Sequence, residues 1–377
     1  MNLDRRQFVA AAGLAAILPA RVARAQSGSI DITIRLTDRR VLVDCSIGGN
    51  GPHPFVIDTG GTIGLLQLDL ARSLRLKKLR DWNLDLLQGR RAYPIYEATD
   101  LVFGGLLRQP SAAFAGVDNV GFGDDAVGSL AAGTLTSVDS ELDFDHSLWR
   151  IHRTGAPDRN GWTRFDDAIV PYGNRNGSPF LYADAEIAGR TIRFGLDTGM
   201  PQWSRFYRKT AEAIGLWDSP RWSPAGPGGR GRLVRAPRIT IAGSPVEGSM
   251  VLLQDEADWG AFPNGILGLP LLRLFNVATD SRGKAVFLRR NAVAPPTARY
   301  NMVGIWVDRA GQDIVISSVG AGSPAAAAGL TSGDRILGTN FDDLIRAMGG
   351  PAGTTIPLKI ASGGTTRDIT LTATDYL

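Results

Sequence analysis

The chain has 377 residues, 44% of them hydrophobic and 21% charged, which excludes a largely disordered protein and leaves room for two or three domains. Its net charge of +4 falls to +1 without residues 1–25, where Arg5, Arg6, Arg21 and Arg24 stand against Asp4, so charge gives no support for a nucleic-acid partner. A single cysteine, Cys45, allows no intrachain disulfide, and with three histidines a His/Cys metal cluster is not expected.

The chain opens with Asp4-Arg5-Arg6-Gln7-Phe8-Val9, an apolar run from Ala10 to Leu18, and Ala23-Arg24-Ala25 before Gln26. This is the plan of a cleavable signal peptide over residues 1–25. The arginine pair resembles the bacterial twin-arginine export signal, which implies a periplasmic protein. A bilayer span needs about 20 apolar residues, so no membrane anchor is expected from this run.

A repeat follows. Val43-Asp44-Cys45-Ser46-Ile47-Gly48-Gly49, a turn, and Phe55-Val56-Ile57-Asp58-Thr59-Gly60 match Ala183-Asp184-Ala185-Glu186-Ile187-Ala188-Gly189, a turn, and Phe194-Gly195-Leu196-Asp197-Thr198-Gly199. The second turn is read as one residue shorter. Downstream, Ala71 to Leu76 matches Ala211 to Leu216, and Ala126-Val127-Gly128 is aligned with Ile266-Leu267-Gly268. Asp145 and Asp280 are each expected to end a strand that turns into an apolar one. The units span 30–153 and 165–290. Thr154 to Gly161 links them, and Asn291 to Arg299 links the second to a module over 299–377. Cys45 falls in a strand-like run and reads as a small core residue.

One Asp-Thr-Gly tripeptide suits many turns. Two copies, each at the end of an apolar strand in equivalent places of a repeat, point to paired carboxylates. Two carboxyls about 3 Å apart cannot both ionise easily and share a proton, an effect for which aspartic proteases are the standard example. One is then a general base toward water and the other a hydrogen-bond donor to a carbonyl. Thr59 and Thr198 are placed to hydrogen-bond across the junction, and Gly60 and Gly199 to let backbone approach the carboxylates.

On Phe55 to Gly60, Phe194 to Gly199 and the two apolar-Gly segments, the chain resembles the pepsin and retropepsin clan of aspartic proteases, in the bacterial single-chain form. The resemblance implies a mainly β fold of two tandem retropepsin-like β-barrel lobes in a pepsin-like bilobal arrangement. It implies Asp58 and Asp197 as the catalytic pair, with Thr59, Gly60, Thr198 and Gly199 as support. It also implies a protein or peptide substrate lying extended between the lobes, and no cofactor. A monomer is expected, since one chain carries both aspartates. Gly61 and Met200 depart from the Ser, Thr or Ala usual after the motif. Gly61 removes a hydroxyl partner for Asp58, and Met200 is expected to crowd its loop. A catalytically inactive peptide-binding protein on the same fold is the alternative.

Hairpins over the cleft are expected at Gln88 to Pro94 and Gly226 to Gly231, with Tyr93 either contacting substrate or packing. Gly226 to Gly231 also matches G-x-G-x-x-G, but Trp222-Ser223-Pro224 before it and a strand-like run after it argue against a nucleotide site. Finally, Met302-Val303-Gly304-Ile305, Gly322-Ser323-Pro324 to Leu330 and Gly333-Asp334-Arg335-Ile336-Leu337 resemble a bacterial PDZ domain, with one helix near Asp342 to Met348. That resemblance implies an α+β module that holds a peptide C-terminus on the N–H groups of Val303, Gly304 and Ile305.

Overall fold

The computed structural model describes residues 28–86, 89–118, 122, 125–172, 177–255, 261–296, 300–311 and 313–377, so the expected leader and Gln88 lie outside the described residues. Strand makes up 50% of the chain and helix 11%, so the fold is mainly β. Among the described residues no helix is long and apolar enough to cross a membrane.

The first unit contains β1 (Ser29–Leu36), β2 (Val41–Ile47), β3 (Asn50–Ile57), β4 (Gly64–Gln67), α1 (Leu68–Ser73), β5 (Lys77–Leu86), β6 (Gly89–Phe103), β7 (Leu107–Val117), β8 (Gly128–Leu130), α2 (Gly133–Thr136), β9 (Ser140–Asp143) and β10 (Leu148–His152). The second contains β11 (Thr163–Phe165), β12 (Ile169–Val170), β13 (Phe180–Ile187), β14 (Arg190–Asp197), β15 (Ser204–Tyr207), α3 (Arg208–Ala213), β16 (Ser223–Ala225), β17 (Gly231–Arg235), β18 (Ile239–Ile241), β19 (Ser244–Val246), β20 (Met250–Gln254), β21 (Gly265–Gly268), α4 (Leu269–Leu272), β22 (Phe275–Asp280) and β23 (Ala285–Arg290). The last module contains β24 (Ile305–Ala310), β25 (Asp313–Val319), α5 (Pro324–Ala327), β26 (Arg335–Leu337), α6 (Phe341–Met348), β27 (Thr355–Ser362) and β28 (Thr365–Thr372).

The two units share one crossed topology. β8 lies between β3 and β4, parallel to the first and antiparallel to the second. β21 lies in the same way between β14 and β15. β4 then pairs in parallel with β7, as β15 does with β20. Alternation explains why these strands hold. On β2, Val41, Val43, Cys45 and Ile47 enter the main core, while Leu42 joins Val56 of β3 on the other face. Burial pushes the Cys45 thiol up to about 12, so it stays protonated.

The register corrects three details of the repeat. Both β-turns have two residues, 48–49 and 188–189, because Ile47 pairs with Asn50 and Ile187 with Arg190. The extra residue of the first unit sits in a bulge of β3, beyond the turn, where Cys45 next pairs with His53. Ile57 pairs with Leu130 and Leu196 with Leu267. The counterpart of Ile266-Leu267-Gly268 is therefore Ser129-Leu130-Ala131, three residues beyond the expected Ala126-Val127-Gly128. Gly128 has its own reason to be glycine: a Cβ there would lie 2.4 Å from the Leu65 carbonyl oxygen and 2.7 Å from the Phe55 ring. The first closing strand also ends at Asp143, which pairs with Leu148 as Asp280 pairs with Ala285. Asp145 lies in the turn and accepts from Asn276 and from the N–H of Ala292.

β9 and β22 join the units, through Leu142 opposite Val277 and Glu141 opposite Ala278. This completes an antiparallel sheet in the order β1-β10-β9-β22-β23-β11 beneath both units. The last module is a five-stranded antiparallel sheet with its own core of Val303, Ile305, Ile316, Ile336 and Ile360. It is docked on the second unit, where Ala225, Leu233, Met250 and Leu252 bury Tyr300 and Tyr376. Its long helix begins at Phe341, capped by the Asn340 side chain, which accepts from the N–H groups of Asp342 and Asp343.

Candidate active site

β3 and β14 each bury three residues just before their aspartate. Phe55 and Ile57, like Phe194 and Leu196, face the main core. The residue between them differs: Val56 in one unit, Gly195 in the other. A Cβ on Gly195 would fall 2.0 Å from the Phe262 ring, so the glycine makes room for that ring. Two buried strands thus deliver two loops to one point.

The loops interlock through their threonines, both 1% exposed. Thr59 Oγ1 donates to the Leu196 carbonyl at 2.7 Å, and Thr198 Oγ1 donates to the Ile57 carbonyl at 2.6 Å. In return the Thr198 N–H donates to Thr59 Oγ1 at 3.0 Å and the Thr59 N–H to Thr198 Oγ1 at 3.2 Å. Each carboxylate is also held within its own loop. The Gly60 N–H donates to Asp58 Oδ1 at 3.0 Å and the Gly199 N–H to Asp197 Oδ1 at 2.8 Å.

The glycines do more than donate. A Cβ on Gly60 would lie 2.3 Å from the Asp197 carboxyl carbon, and one on Gly199 would lie 2.3 Å from Asp58 Oδ1. Each loop's glycine therefore faces the other loop's aspartate. All six expected residues, Asp58, Thr59, Gly60, Asp197, Thr198 and Gly199, meet at this junction.

Electrostatics separates the two acids. Burial, then the charge of Asp197, pushes the Asp58 carboxyl up to about 8, with the Gly60 N–H working the other way. Burial also raises Asp197, but the Gly199 N–H, the charge of Arg205, the Asp58 hydrogen bond and the Met200 N–H all favour its ionised form. Both carboxyls are raised and coupled, so the pair titrates as a unit that holds one shared proton.

Met200 does not crowd the loop. Its side chain packs against the cluster of Phe180, Phe262 and Ile266 and beside Gly268. Gly61 does leave a gap. A Cβ there would stand 3.4 Å from Asp58 Oδ2, where a hydroxyl could have reached.

Hairpins form at both expected segments. β5 and β6 form a long one, and its Tyr93 is a packed residue, 1% exposed, with Val56, Leu42 and Ile95. β16 and β17 form a short one whose turn is a 3-10 segment, Pro227–Gly229. No helix follows the G-x-G-x-x-G match, so it lacks the context of a nucleotide site.

One residue at the junction was not singled out from the sequence. Arg205 follows the second aspartate on β15, at the position of Leu65 on β4: Arg205 pairs with Ile266 as Leu65 pairs with Ser129. Aligning Gly64-Leu65-Leu66-Gln67 with Ser204-Arg205-Phe206-Tyr207 would have exposed a cation where the other unit has leucine.

In the last module Val303 and Ile305 are fully buried, and Gly304 has a φ of +79°. The N–H groups of Val303 and Gly304 donate to Asn301 Oδ1 at 3.2 and 3.0 Å. The expected cradle for a peptide carboxylate is thus occupied there by a side chain of the same chain. Among the described residues the outer edge of β24 carries no strand partner. Among the described residues no group of three or more His, Cys, Asp or Glu side chains could hold a metal ion. No protein-family model matches the chain, and no curated protein matches its sequence.

Proposed function

We propose that the chain is an aspartic endopeptidase, built of two retropepsin-like lobes in a pepsin-like arrangement and followed by a PDZ-like domain. The observation that carries this reading is the reciprocal threonine lock, which sets each aspartate against the glycine of the opposite loop. In the reaction Asp197 takes a proton from a water as its oxygen bonds to the scissile carbonyl carbon. Asp58 gives its proton to the carbonyl oxygen. From the resulting gem-diol, Asp197 returns a proton to the amide nitrogen, Asp58 recovers one from a hydroxyl, and the C–N bond breaks. No cofactor enters. With a leader of the twin-arginine type, the substrates are proteins or peptides of the bacterial envelope.

The test is cleavage of an unfolded protein by Asp58→Asn and Asp197→Asn variants. Each is expected to lose activity by a factor of at least about 10³, the scale of removing general acid–base help together with oxyanion stabilisation. Undiminished cleavage by either sinks the proposal. The second reading, a peptide-binding protein without turnover, is favoured by Gly61, which leaves Asp58 without a hydroxyl neighbour. It predicts peptide binding by calorimetry and no cleavage at any pH.

A further inference from the structure

Arg205 has a buried Nε with no hydrogen-bond partner and forms no direct ion pair among the described residues, while its charge acts on Asp197. It sits on the strand that leaves the Asp197 loop, between Ile266 and Leu252 in register. Ser204 and Phe206 point the other way, the first buried and accepting from the Gly268 N–H, the second stacked on Phe194 in the core. Arg205 therefore projects on the opposite face. Its counterpart Leu65 occupies that face in the first unit and packs beneath the long hairpin with Trp82 and Leu84. The two units are thus chemically unequal at one equivalent position: apolar in the first, cationic in the second, where the charge of Arg205 acts on Asp197.

A guanidinium that is partly out of water and makes no direct ion pair is a strong recognition element for a carboxylate, which it can hold through two parallel N–H donors. We propose that Arg205 is a specificity-determining residue, and that it takes a substrate carboxylate next to the scissile bond. This rests on the endopeptidase reading for its meaning, though its binding test does not. The carboxylate belongs either to an internal Asp or Glu or to a peptide C-terminus, and the arms of the experiment separate these sources.

Peptide pairs differing by Glu against Gln at each position flanking the cleavage point are compared by kcat/KM, together with pairs ending in a carboxylate or a carboxamide. The acid member is expected to be favoured at least about ten-fold in one series by the intact protein, and about equally with its neutral partner by Arg205→Leu. Arg205→Lys is expected to keep part of the preference. The same pairs built as uncleavable statine peptides are measured by calorimetry, where the acid-to-neutral ratio is read without turnover. A ratio near one in every series with the intact protein, or a preference that survives Arg205→Leu, overturns the inference. Binding preference without cleavage overturns the endopeptidase reading alone.

Discussion

Gly199, like Gly60, has no room for a side chain at the loop junction, since a methyl group there would enter the Asp58 carboxylate. Gly199→Ala is expected to abolish cleavage and to destabilise the protein by about 1–3 kcal/mol, the scale of overpacking, as read by urea denaturation. Asp58 makes the opposite prediction for stability. Its folded pKa lies above its unfolded value, so between about 4 and about 8 the folded protein holds a proton that the unfolded chain releases. Stability from this group is therefore undiminished at low pH and falls as pH rises through that window. Asp58→Asn is expected to be inactive yet more stable near pH 8, by about 2–4 °C in Tm per kcal/mol relieved, with little gain near pH 4. Gly61→Ser tests the gap beside Asp58. Gly61 does not need a positive φ, and its new hydroxyl can donate to the carboxylate. One such bond is worth about 1 kcal/mol, so the alkaline limb of the kcat profile is expected to move down by roughly half a pH unit to one unit.

Among the elements, the pair β9 and β22 carries the junction of the units, and a charged network lies on it. Glu141 meets Arg150 at 2.8 Å and also pairs with Arg159, while Asp143 meets His146 at 2.7 Å and pairs with Arg150. Burial alone would raise Glu141, but the hydrogen bond from Arg159, the His152 ring 3.7 Å away and the charges of Arg159 and Arg150 hold it down to about 2. A depressed carboxyl stabilises the fold above its unfolded pKa, and that contribution disappears as pH falls from about 4.5 to about 2. Glu141→Gln leaves the buried Arg159 uncompensated and is expected to cost about 3 kcal/mol at pH 7, on the scale for breaking a buried pair. The gap in urea midpoint between the variant and the parent should close on acidification to about pH 2. A gap that stays constant would show that Glu141 acts through packing.

At the scale of the whole molecule the last module is fastened to the second unit. Tyr376 donates to the Trp222 carbonyl at 3.1 Å, Ser223 donates to the Asn301 carbonyl at 2.9 Å, and Arg235 donates to the Leu377 carbonyl at 2.9 Å. The short hairpin also touches it, because Gly229 lies against Trp306 with no room for a Cβ. Tyr376→Ala removes a buried aromatic and is expected to separate the module's unfolding from that of the rest, seen as a second, earlier calorimetric transition. The sequence by itself determined the duplication, the two aspartate loops and the partition into three units, because each rests on local pattern: a strand's alternation, a turn's residue types, a motif at a fixed spacing. Tertiary structure decided the rest. Which segment crosses behind each aspartate depended on pairing partners more than 70 residues away, and glycine at 128 proved to mark contact with Phe55, so the pattern pointed three residues too early. Whether Met200 faced the carboxylates or the aromatic cluster, and whether Asn301 filled the Val303–Gly304 loop, were set by neighbours that only folding assembles. Arg205 became legible for the same reason: its identity is plain in the chain, but its unpartnered Nε and its charge on Asp197 are properties of the space around it.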